Sequence, residues 1–84
     1  GIQRPSARTV QSCKVGMKVK IDSILDQESD FLKFARDKKL LPGKEVVIMS
    51  SEKVADAITL RVGRNPPFSL GFRSAEKILV LEQA

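Results

Sequence analysis

The sequence predicts an all-β fold: a small barrel of five short strands with one inserted helix, placed between strands 1 and 2. Three observations carry this. Apolar residues alternate with lysines between positions 15 and 21. No apolar run exceeds four residues. One segment only, residues 26–43, has helical spacing, and it closes on Pro42-Gly43.

In chain order, residues 1–12 are polar, contain Pro5 and lack periodicity, which marks a tail or linker remnant ahead of a domain over residues 13–84. Arg4, Pro5 and Ser6 belong to that linker. Val15, Met17, Val19 and Ile21 then alternate with Lys14, Lys18, Lys20 and Asp22, a period of two that predicts a half-buried strand. Ile24 and Leu25 end it. In the next segment Phe31, Leu32 and Ala35, with Phe34 beside them, fall on one helical face. Ser29 is the expected N-cap, because its hydroxyl can accept from an unpaired first-turn N–H. Glu28 and Asp30 lie near the positive end of the helix dipole; Arg36, Lys38 and Lys39 lie near the negative end. Pro42 disfavours helical geometry at Leu41, so the helix should stop near Lys39 or Leu40, with Gly43 taking the left-handed turn that follows.

The remainder is strand and turn. VVIM, residues 46–49, is short enough for a strand buried on both faces. Ile58, Leu60 and Val62 alternate with Thr59 and Arg61. Residues 63–67, GRNPP, form a turn, since two prolines cannot donate to a ladder. Residues 68–72 read as the fourth strand, 74–77 as one helical turn and ILVL at 78–81 as the fifth. An SH3-like barrel fits this content, with an OB-like barrel as the alternative; closure removes the open edges that a small β protein must protect.

Composition narrows function. At 84 residues the chain is one small domain with an aliphatic core, having four Phe and neither Trp nor Tyr. Its net charge of +5 comes from basic residues scattered among apolar ones. That is the pattern of a solvated basic face rather than a nucleic-acid footprint, and a basic nucleic-acid-binding barrel is kept as a further alternative. The absence of His removes the commonest general base and metal ligand. No enzymatic site is expected. Cys13 has no His or Cys beside it, so neither a nucleophile nor a zinc site is expected there. Met17 and Met49 sit in strand patterns and read as core. With no signal-peptide pattern and no bilayer-length apolar run, a cytoplasmic setting is expected. The missing initiator Met points to a processed or excised piece.

The carriers of a family resemblance are Gly16 with Val19 and Ile21, then FLKFARDKKLLPGKEVVIM, ITLRV and SAEKILVLE. Over residues 6–82 they resemble the FeoA domain, an SH3-like barrel found in two settings. One is a free-standing accessory of bacterial ferrous-iron transport. The other is the C-terminal domain of iron- or manganese-dependent repressors of the diphtheria-toxin-repressor type. Glu28, Asp30, Leu32 and Phe34 resemble the acidic helix opening of the repressors. Lys38 and Lys39 stand where free-standing members tend to carry Met-Gly. The repressor setting is therefore expected, and it implies iron or manganese bound by the parent protein and no cofactor in this domain. It also implies docking on the parent's other domains or its proline-containing linker, dimerisation in the parent, a monomeric fragment, and DNA contact only through the parent. The transport setting implies docking on a membrane iron permease instead. In some such repressors this domain lends an ancillary metal site an acidic residue, matched here by Glu28, and an amide side chain three residues later. Phe31 stands at the amide position and offers no donor, so Glu28 reads first as a dipole-compensating residue at a helix start.

Overall fold

The computed structural model describes residues 7–83. Alternation is converted directly into sheet. In β2 (Lys18–Ile24), Val19 and Ile21 face the core while Lys18 and Lys20 face water. In β4 (Ala57–Val62), Ile58, Leu60 and Val62 point inward. With β1 (Ala7–Thr9), β3 (Glu45–Glu52), β5 (Phe68–Leu70) and β6 (Ile78–Glu82) they form one antiparallel six-stranded sheet in the order β1-β6-β2-β3-β4-β5. A meander from β2 to β5 with β6 returning beside β2 is the SH3-like arrangement, not the OB-like alternative. Val46, Ile48, Ile78, Val80 and Leu60 fill the centre, and among the described residues every buried core side chain is apolar.

The count of five strands is corrected to six. Ala7–Thr9, expected as tail, pairs with β6 through Ala7↔Leu81 and Thr9↔Leu79, and a 3-10 turn at Val10–Ser12 then buries Val10. A three-residue edge strand is too short to show a period. The linker residues Arg4, Pro5 and Ser6 lie outside the described residues. The helix thus falls between the second and third strands of six. Val15 precedes the first long strand instead of opening it: it lies in a turn and is exposed. VVIM is not buried on both faces. The β3–β4 register shifts between Ile48 and Ser50, so Met49 is the bulged residue and is exposed, whereas Met17 packs against the core.

Helix α1 (Ser29–Asp37) buries Phe31 and Ala35. Its N-cap is Glu28, with no side-chain cap bond, so Ser29 is not the cap. The end comes earlier than expected. Lys38 is the C-cap and Lys39 takes φ +62°. The Leu40 N–H donates to the Ala35 carbonyl (2.8 Å) and the Lys39 N–H to that of Arg36 (3.0 Å). This is a Schellman motif with lysine at the position glycine usually fills, sealed by buried Leu40 against Ala35. Leu41 remains exposed. Pro42 and Gly43 (φ +88°) then form a type II turn in which the Lys44 N–H donates to the Leu41 carbonyl (3.1 Å).

The single helical turn, α2 (Phe72–Ala75), starts two residues before the expected one and takes Phe72 out of the strand. Asp56, in the β3–β4 hairpin turn, explains its start. Its carboxylate accepts from the Phe72 N–H (3.0 Å), and a Cβ at Gly71 would lie 3.2 Å from the same group.

Candidate functional site

Two hollows flank α1, one at each end. The first, about 490 Å³, is lined by Leu25, Asp26, Arg73, Glu76 and Lys77 and is the larger and more open. Two of its charges serve each other. Lys77 Nζ lies 2.7 Å from Asp26 Oδ2 and also 4.8 Å from the centroid of the Phe31 ring. The other Asp26 oxygen accepts from the Glu28 N–H (2.9 Å). The Lys77 hydrogen bond, followed by that N–H, holds the Asp26 carboxyl below its ordinary range. The hollow is a braced corner.

The second, about 340 Å³, lies where the end of α1 meets the turn before β5, between residues 37–39 and 65–68. Phe68 is its half-buried floor, packed edge-on against Phe34 with centroids 6.5 Å apart. Pro66 and Pro67 extend the apolar wall, and Asn65 adds one amide side chain. Lys38 Nζ sits 5.2 Å from the Phe68 centroid, a cation over an aromatic face. Lys39 stands on the strained, left-handed residue of the helix terminus. Among the described residues neither lysine has an ion-pair partner. An apolar floor, two ammonium groups, one carboxylate (Asp37) and an amide can hold a ligand by burial and charge. We take this smaller hollow as the candidate site because it sets an aromatic floor and two prolines beside two lysines that form no ion pair among the described residues.

Glu28 is exposed at the N-cap of α1, and its backbone, not its carboxylate, is engaged. Phe31 three residues on is a core ring under Lys77. Of the two acidic residues that flank Glu28 two positions away, Asp26 is held by Lys77 and Asp30 lies in the first turn of α1. Among the described residues no three His, Cys, Asp or Glu side chains converge. On donor chemistry the residues present do not make a site for iron or manganese. Cys13 is buried, its Sγ 3.5 Å from the Thr9 carbonyl, and burial pushes its thiol up, away from the reactive thiolate. Among the described residues no helix is long and apolar enough to cross a membrane.

The chain's sequence signals the basic half of the groove, since Arg36 to Lys39 stand out as a run. It does not signal the other half. Asn65, Pro66 and Pro67 read only as a turn, and no local pattern tells that this turn meets the end of α1.

The FeoA domain family model matches residues 8–82. No curated protein sequence matches the chain. Among solved structures, a manganese-dependent transcriptional repressor superposes with a TM-score of 0.86 at 18% identity, over 98% of this chain and 45% of that one. IdeR of T. acidophilum gives 0.81 at 22%, over 99% and 37%. A FeoA-like protein from Clostridium acetobutylicum gives 0.81 at 26%, over 98% and 92%. The chain thus spans less than half of the repressors it resembles.

Proposed function

The chain belongs to the FeoA domain family, and from that premise we propose that it is a non-catalytic docking domain, the C-terminal regulatory module of an iron- or manganese-dependent transcriptional repressor. Helix α1 carries the choice of setting. Its opening sets Glu28 and Asp30 before Leu32 and Phe34, as repressor members do, and Lys38-Lys39 replaces the Met-Gly of free-standing ones. The fold likeness is compatible with it: a manganese-dependent repressor superposes over nearly all of this chain.

In this reading the sensed metal is held by ligands in the parent's other domains, and Glu28 contributes only as an ancillary ligand completed from elsewhere. The parent is a cytoplasmic dimer that carries the DNA contacts, and the barrel biases them by docking on the parent's other domains or its linker. A second reading, a free-standing accessory docking on an iron permease, draws support from the C. acetobutylicum protein, which this chain matches over 92% of that protein's length.

The test is the coding sequence upstream of Gly1, followed by operator-binding measurements. A winged-helix domain and a metal-ligating dimerisation domain upstream, with metal-dependent operator binding that changes when residues 7–84 are deleted, supports the repressor. An initiator Met directly preceding this domain overturns it in favour of the accessory.

A further inference from the structure

We propose that the groove between the end of α1 and the 65–68 turn binds an extended acidic peptide segment, with carboxylates on either side of an apolar side chain. The proposal rests on the docking reading above and names the chemistry of what docks.

Three observations converge on this occupant. The floor is apolar, formed by Phe68 and the two prolines, and about 340 Å³ accommodates a few residues of extended chain rather than a folded surface. The rim carries its charge on one side only, two lysines against the single carboxylate of Asp37. Lys38 is held against Phe68, Lys39 projects beside it, and neither is neutralised by a described acidic group. By contrast, the hollow at the other end of α1 has its lysine paired at 2.7 Å. Lys39 also occupies a φ of +62°, where glycine relieves strain and any other side chain adds it. Strain of that kind is tolerated where the side chain has work to do, and here it sets an ammonium at the groove mouth. A nucleic-acid backbone fits less well. Phe68 lies beneath Lys38 instead of standing free to stack on a base, and the apolar floor of Phe68 and two prolines offers nothing to a phosphate backbone.

The experiment is a titration of the isotopically labelled 84-residue chain, followed by amide chemical shifts at low and high salt. The probes are an eight-residue peptide of alternating glutamate and leucine, its glutamine counterpart and a short DNA duplex. Saturable, salt-sensitive shifts at Lys38, Lys39, Asn65 and Phe68 with the glutamate peptide alone are expected. Lys38→Glu with Lys39→Glu should weaken binding about tenfold or more, a loss of about 1.4 kcal/mol. Lys39→Gly separates binding from folding: it relaxes the backbone, so it should weaken binding while leaving the chain at least as stable. Equal response to the glutamine peptide, shifts confined to other surfaces, or no shifts at all would overturn the proposal. So would stronger binding of the duplex at the same lysines, which would assign the groove to nucleic acid. The upstream coding sequence decides the repressor reading independently, so the two fail separately.

Discussion

The two ends of α1 use the same residue types to opposite purposes. At the start, Lys77 bridges Asp26 and caps the Phe31 ring, and Asp26 in turn takes the Glu28 N–H. Charge there braces the entry of the helix onto the barrel. At the finish, Lys38 and Lys39 share a groove with Asp37, Phe68, an asparagine and two prolines, and among the described residues neither forms an ion pair. A basic residue near an aromatic ring therefore says little by itself. Whether its charge is already answered within the domain separates a brace from a binding surface.

The contrast breaks most easily at the two rings. Phe31 is 9% exposed and belongs to the core, so Phe31→Ala should cost about 3–4 kcal/mol of unfolding free energy, read from the urea midpoint. Phe68 is only half-buried, and Phe68→Ala should cost about 1–2 kcal/mol while flattening the groove floor. Equal losses at both positions would show that the groove end is as much a structural element as the braced end.

Next in size is Lys39→Gly. A left-handed residue other than glycine costs about 1–2 kcal/mol, and glycine returns about half of that as backbone entropy lost on folding. The net expectation is a gain of about 0.5–1 kcal/mol in urea unfolding. No gain would mean that the lysine side chain makes a stabilising contact that offsets its backbone strain. The same substitution at Lys38, whose φ is −90°, should not stabilise.

The braced end and the groove differ in how far the sequence discloses them. Strict alternation exposes β2 and β4, because a strand half in water must alternate. Leu40-Leu41-Pro42-Gly43 exposes the end of α1, because proline and glycine each restrict the backbone in a way few other residues do. What stays hidden has no local signature. β1 is three residues held by β6 from the far end of the chain. Met49 leaves the core through a bulge whose cause is its partner strand. Asp56 starts α2 from a hairpin turn sixteen residues away. The groove is of this kind: its lysines are conspicuous, but its floor and far wall arrive by tertiary contact.

The smallest expected effect tests the brace itself, through pH. The folded-state pKa of Asp26 lies below the ordinary value of 3.8, chiefly through its hydrogen bond from Lys77. The unfolded chain therefore takes up a proton at this carboxyl more readily than the folded one. The stability contributed by ionised Asp26 is fully present above about pH 4 to 5, and it is lost as pH falls through the folded value. Asp26→Asn removes that contribution at every pH. Its urea midpoint should accordingly lie slightly below that of the parent at pH 6, and the two should converge as pH drops below the carboxylate range. Because the pair is partly solvated, added salt should narrow the gap at pH 6 as well. A gap that persists undiminished in acid would mean that the substitution costs stability by something other than the lost charge, since asparagine keeps an oxygen that can accept from the Glu28 N–H. The pair of Asp26 and Lys77 would then not be what holds the entry of α1.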